Sequence, residues 1–181
     1  MISKVAVLCS SRVLPGTELY SLGVQVGNEL SRAGCEVVTG GGPGLMAAVS
    51  IGAYTNDKSC AVVTRMPNNE KTNLFLNKIT VCPTLSERKL TYLIDSDACV
   101  FLPGGFGTMD ELFEILTLIQ VGLVAPKPIL LVGLKYWRSL MSYMKNMLKN
   151  GYIDSSDLKL IEIVNSPKAL IRRLEEHGIG K

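Results

Sequence analysis

A chain of 181 residues, 47% hydrophobic and 19% charged, can bury the core of one domain and is not a disordered chain. Its net charge of only +3 argues against a dedicated nucleic-acid binder, and no apolar run reaches membrane-spanning length. The start, MISKVAVLCSS, is too short and β-like for a signal peptide, so the expectation is a cytoplasmic protein with no membrane partner.

In chain order, the pattern predicts a strand over 4–9 (KVAVLC), a helix over 17–33 stopped by Gly34, and a second strand over 35–40. A helix over 43–55 follows, with Pro43 and Gly44 in its first turn, then a strand over 59–64 and a loop over 65–77. Next come a short strand over 78–82, a helix from about 84 to 95 and a strand over 98–103. The remainder reads as a helix over 108–121, a strand over 128–133, a helix over 136–149, an edge strand within 159–165 and a last helix over 167–176.

Strands alternating with helices imply a parallel sheet covered on both faces. The expected fold is α/β, a Rossmann-like doubly wound parallel sheet in a single domain over 1–181. Ligands in such folds sit beyond the carboxyl ends of the strands, which directs attention to the loops after residues 9, 40, 64 and 102.

Two of these loops are glycine-rich, TGGGPGLM (39–46) and PGGFGT (103–108). Glycines permit tight turns and close approach, and the helix that follows offers unpaired N–H groups to an anion, so the pair favours a phosphate-bearing ligand. Gly42-x-Gly44-x-x-Ala47 imitates a dinucleotide fingerprint, but it follows the second strand, and Arg65 stands where an acid would close the next one. No Walker A pattern occurs. Thr108-x-x-Glu111 reads as a capping box, with Asp110, Glu111 and Glu114 crowding one helix end. A carboxylate one turn from a bound phosphate is placed to reach a ribose.

Thr84-x-x-Glu87 is a second capping box. It leaves Arg88 and Lys89 near a helix N-terminus, where cations are electrostatically misplaced unless they form a solvated face or meet an anion. Leu90, Leu93 and Ile94 are expected to face the core. Cys9, Cys35, Cys60, Cys82 and Cys99 are dispersed without a C-x-x-C pair, which fits small buried thiols. The single histidine, His177, makes a zinc site improbable and removes most Ser–His–Asp or Cys–His schemes, leaving carboxylates, cations, hydroxyls and amides for any chemistry.

PGGFGTMDE reads as PGGxGTxxE. Together with GGGPGLM and the Arg88–Lys89 pair, it resembles the LOG (Lonely guy) family of cytokinin riboside 5′-monophosphate phosphoribohydrolases, often mislabelled as lysine decarboxylases. The likeness extends to ELFEILTLIQ (111–120), KPILLVGLKYW (127–137) and GYI (151–153). By position, the resemblance implies that Arg88 and Glu111 are catalytic and that Lys89 is the basic partner of Arg88. It places Gly104, Gly105, Gly107 and Thr108 in the phosphate loop, and Gly41, Gly42 and Gly44 in a second substrate loop. It makes Glu70 and Thr117 further substrate contacts, with Ser10 and Ser11 lining the same site. Ser86–Glu87 stand where the family often has a histidine, GLMAA replaces GLMG or GLMEA, and CSSR replaces CGSS. These departures bear on base preference more than on the chemistry.

The implied reaction is hydrolysis of the N-glycosidic bond of AMP or an N6-substituted AMP, giving free base and ribose 5-phosphate without metal or organic cofactor. The implied assembly is a homodimer or higher homo-oligomer, and the apolar stretch 112–124 supplies a face for it. The competing expectation is a non-catalytic carrier of a nucleotide or of molybdenum cofactor. Lysine decarboxylation is disfavoured, because no lysine has the context of a cofactor-linked one.

Overall fold

The computed structural model describes residues 2–64 and 71–179. Among them the chain alternates as the periodicity predicts: β1 (Lys4–Leu8), α1 (Glu18–Arg32), β2 (Glu36–Thr39), α2 (Leu45–Tyr54), β3 (Ser59–Val63), β4 (Lys78–Val81), α3 (Leu85–Asp95) and β5 (Ala98–Phe101). Then follow α4 (Phe106–Gln120), β6 (Ile129–Val132), α5 (Leu134–Lys149), α6 (Ser155–Lys159), β7 (Ile161–Val164) and α7 (Pro167–Glu176). The helix starts obey capping chemistry. Thr17 accepts from Tyr20 N–H, Thr84 from Glu87 N–H, and Ser166 from Ala169 N–H with Pro167 in the first turn.

All seven strands are parallel, in the order β4-β3-β2-β1-β5-β6-β7. Parallel pairing requires crossovers, which place helices on both faces. The strand residues accordingly divide by parity. Val5, Val7, Val100, Leu102, Leu130 and Val132 pack with α1, α2 and α7. Ala6, Leu8, Cys99, Phe101, Ile129 and Leu131 pack with α3, α4 and α5. Fully buried residues such as Phe101, Leu131 and Trp137 each contribute about 1.5–3 kcal/mol through burial. The five cysteines are buried and unpaired.

The order reverses at β1. Strands β2 to β4 build outward on one side and β5 to β7 on the other, so the loops leaving β1 and β5 diverge and open a crevice. Close packing of α1 on α2 fixes one wall. A Cβ at Gly27 would lie 2.0 Å from the Val49 carbonyl oxygen, and one at Gly52 would lie 2.0 Å from that of Val24. Leu45, the first residue of α2, donates its N–H to the Ser10 carbonyl at 2.8 Å.

Three expectations are corrected. Helix α4 starts at Phe106 with Gly105 as its N-cap and no side-chain cap, so Thr108 lies inside the first turn and forms no capping box with Glu111. Ile94 faces solvent, and the buried side chains of α3 are Arg88, Tyr92 and Leu93. The stretch 155–159 forms the short helix α6, closed by a reciprocal Asp154–Asp157 capping box, and the edge strand follows it at 161–164.

Candidate active site

The crevice at the strand reversal is a cleft of about 640 Å³. The loop after β1 supplies Ser10, Ser11 and Arg12, and the loop after β2 supplies Gly40. Helix α3 adds Leu85, Arg88 and Lys89, the segment Gly104–Glu111 forms the facing wall, and Tyr136 closes one end.

That wall is built around the start of α4. The first turn of this 15-residue helix contains no acidic side chain and has no side-chain cap, so its N–H groups and dipole are left to the cleft. A Cβ at Gly105 or Gly107 would meet nothing within 4 Å, so these glycines keep the approach to the amides open. Gly104 has a different role. A Cβ there would lie 2.0 Å from Thr108 Oγ1, so its bareness admits the buried threonine. Tyr136 donates its hydroxyl to the Gly104 carbonyl and fastens the loop from the other side.

Arg88 is not on a solvated face. It is 9% exposed, donates from Nε to the Val62 carbonyl and from Nη2 to the Gly40 carbonyl, both at 3.0 Å, and lies 6.0 Å from the centre of the Tyr92 ring. Two carbonyls at the ends of β2 and β3 thus orient a buried cation. Lys89 projects sideways, 2.8 Å from Asp110 and 3.0 Å from Glu114. Burial works against its charge, but the two carboxylates outweigh that and hold its pKa above the ordinary lysine value.

Glu111 is half-buried on the cleft wall and accepts a hydrogen bond from the Tyr92 hydroxyl. Burial pushes its carboxyl up to about 7, while the Tyr92 hydrogen bond and the Arg88 charge act in the opposite sense. A carboxylate with affinity for a proton near neutrality therefore stands about one and a half helical turns from an open amide terminus. The arrangement suits an anion at the loop and developing positive charge beside Glu111.

Within one chain the structure brings together Ser10, Ser11, Arg88, Lys89, Gly104, Gly105, Gly107, Thr108 and Glu111. Gly41 and Gly42 lie behind the wall, where Asn73 Nδ2 donates to their carbonyls at 3.0 and 3.1 Å. Gly44 caps α2 at φ 67°, and a Cβ there would lie 2.4 Å from the Ser11 carbonyl carbon, so it supports the first loop from beneath. Thr117 is exposed and lines a separate groove with Phe113, Met144 and Met147. Glu70 lies outside the described residues.

Several residues in or behind the cleft escape the sequence reading, Tyr136 among them. Gly40 and Arg12 lie beside the residues it singles out. Tyr92 follows Arg88 by four positions, which places both on one face of a helix, and that spacing is a usable signal. Phe106 is 97% exposed and gives the cleft an apolar rim.

Residues 46–174 match a family model described as "Possible lysine decarboxylase". The chain is 31% identical to the cytokinin riboside 5′-monophosphate phosphoribohydrolase LOG4 of Arabidopsis thaliana, over 97% of this chain and 83% of that protein. It is 30% identical to LOG3, of the same description and organism, with the same coverage. Among solved structures, the molybdenum cofactor binding protein of Rippkaea orientalis superposes with a TM-score of 0.72 over 98% of both chains. At 17% identity, that likeness is one of fold.

Proposed function

The chain belongs to the LOG (Lonely guy) family, and we propose that it is a nucleoside 5′-monophosphate phosphoribohydrolase that cleaves AMP or an N6-substituted AMP. The observation that carries the reading is the position of Glu111, a carboxylate held on the cleft wall by Tyr92 beside the uncapped start of α4.

The 5′-phosphate sits on the amides around Gly105–Thr108, where the helix terminus favours negative charge. Arg88 and Lys89 raise the local positive potential, and the carbonyl bonds of Arg88 fix its direction. With the phosphate anchored there, the ribose lies toward Glu111. The bond from C1′ to the base nitrogen breaks with its electron pair leaving on the base, and positive charge builds on C1′ and the ring oxygen. Ionised Glu111 stabilises that charge and takes a proton from the attacking water, whose oxygen bonds to C1′. The base takes up one proton from solvent as it leaves and Glu111 returns one to solvent, so free base and ribose 5-phosphate remain and the carboxylate is regenerated. The exposed Phe106 and Leu85 give the base, or an N6 substituent, an apolar edge. No metal or organic cofactor has a step in this scheme.

Decarboxylation fits the cleft poorly. The lysine that lines it, Lys89, is pinned between Asp110 and Glu114 and held protonated, whereas a Schiff-base lysine needs a neutral amine. A carrier needs no proton-accepting carboxylate at the ligand, so the Glu111 environment supports turnover over storage. We further assign the protein to the cytoplasm as a homodimer or larger homo-oligomer, with the apolar 112–124 stretch at the contact. Incubation with a panel of nucleoside monophosphates, followed by chromatography for free base and ribose 5-phosphate, tests the reading. AMP-type substrates should release base, and tight binding without release would favour the carrier.

A further inference from the structure

Helices α3 and α4 meet through three polar ties: Lys89 to Asp110, Lys89 to Glu114, and Tyr92 to Glu111. The first lies toward the surface, where Asp110 is exposed, and Glu114 is partly buried. The third lies inside. Tyr92 is 1% exposed, among the largest fully buried side chains of the molecule, and its hydroxyl is spent on one oxygen of Glu111.

A buried tyrosine can be replaced by phenylalanine or methionine for packing alone, so the hydroxyl requires its own account. Its ring packs into the core beside Cys82, Leu93 and Phe101. The Arg88 guanidinium, one helical turn earlier on α3, lies over the face of the ring. The phenol therefore arrives at Glu111 from a rigid base. A glutamate has three rotatable bonds, and of the α3 side chains that face it, Tyr92 is the one that binds it directly. Arg88, whose Nε and Nη2 go to carbonyls, acts on Glu111 through its charge.

We propose that Tyr92 is a positioning residue for the hydrolysis, its hydroxyl fixing the Glu111 carboxylate toward the cleft and favouring its charged form. The proposal rests on the phosphoribohydrolase reading for its role in turnover, but the contact itself is a property of the folded chain.

The charges around Glu111 set the direction of the effect. Arg88 and Lys89 from α3 favour its ionised form, and Asp110, its neighbour on α4, opposes it. Cys9 at the end of β1 and Cys99 in β5 also feel the Glu111 charge, and burial raises both thiols, so they stay neutral through the range where Glu111 titrates. Tyr92 is held protonated far above that range, chiefly by burial, so it remains a donor throughout. Loss of the donor thus removes a stabiliser of the carboxylate and nothing that titrates beside it.

Two readouts on the full-length protein test this. Carbon-13 NMR of glutamate carboxyls, with Glu111→Gln identifying the Glu111 signal, gives the titration midpoint in wild type and in Tyr92→Phe. The pH profile of base release from AMP, with kcat and KM separated, gives the acid limb. Tyr92→Phe should raise the midpoint by about one pH unit, the size of one hydrogen bond to a charged group, and carry the acid limb of kcat upward with it while KM changes little. Tyr92→Met, similar in volume and unable to donate, should behave the same way and replaces the phenylalanine variant if that one fails to fold. A midpoint within a few tenths of a unit of wild type in both variants would overturn the proposal, as would a raised midpoint with an unmoved acid limb. If wild type releases no base from any nucleotide, the hydrolase reading and the role in turnover fall together, and the NMR midpoint still decides whether Tyr92 favours the charged form of Glu111.

Discussion

Arg88 occupies the space that a side chain at Gly40 would need: a Cβ on Gly40 would lie 1.9 Å from Arg88 Nη2, the atom that donates to the Gly40 carbonyl. The glycine at the end of β2 and the cation from α3 are thus one unit, joined across 48 residues of sequence. Gly40→Ala is expected to displace the guanidinium from its carbonyl ties and leave a buried charge less well partnered, at a cost of about 1–3 kcal/mol. Base release should fall at least tenfold. Thermal melts and turnover of the purified variant check both.

Gly105 and Gly107 should behave in the opposite way. Open space surrounds each, so Gly107→Ala, inside α4, is expected to hold or raise stability by about 0.5–1 kcal/mol. Gly105→Leu should leave the fold intact and abolish AMP binding, because its side chain fills the approach to the helix amides. Calorimetric titration with AMP, alongside melting, separates the two effects. Unchanged affinity in Gly105→Leu would move the phosphate elsewhere.

AMP should be cleaved and adenosine barely or not at all. Removing the phosphate removes charge-assisted contacts worth about 1.5–3 kcal/mol each, beyond the helix-terminus interaction. Chromatography of parallel reactions at equal concentration decides. Equal turnover of the two would show that the glycine loop is not the anchor.

Glu111 also predicts a pH signature in stability. Its carboxyl titrates at about 7 in the fold against an ordinary 4.5, so between these values the folded state binds a proton that the unfolded state releases. The contribution of this group to stability is therefore greatest below about pH 4.5, falls by about 3 kcal/mol as pH rises through 7, and is level above that. Glu111→Gln cannot ionise but can still accept from Tyr92. Its melting temperature should exceed that of wild type at pH 8, and the gap should narrow toward pH 5. A variant less stable than wild type at pH 8 would contradict the buried-carboxylate account.

Much of this arrangement was legible in the sequence. Apolar periodicity places every strand, Thr84 marks the start of α3, and the glycine loop over 103–108 falls at the strand reversal where a ligand site belongs. The T-x-x-E spacing at Thr108 misleads because two neighbouring registers satisfy local rules. Gly105 serves as N-cap through its extended backbone, and the threonine, one turn inside, is buried against Gly104. Arg88 and Tyr92 are polar by residue type, and their burial depends on carbonyls and a carboxylate brought from β2, β3 and α4, which no local window contains. Thr117 illustrates the converse: the resemblance makes it a substrate contact, but the helix turns it toward α5, away from this chain's own cleft.

Assembly is open to a direct check. The 112–124 stretch leaves Val121 and Leu123 exposed at 59% and 74%. Light scattering at micromolar concentration should give at least twice the mass of the 19.6 kDa chain. A monomer would remove the proposed contact.

Base release from AMP by wild type and by Glu111→Gln, measured with AMP affinity and melting temperature on the same preparations, tests the central claim most directly. The account predicts a folded variant that binds AMP within a few-fold of wild type and releases base at least about a hundredfold more slowly, the size expected for removing a group that stabilises transition-state charge. A folded variant with base release near the wild-type rate would contradict it, and would leave Glu111 as a half-buried partner of Tyr92 with no part in the chemistry.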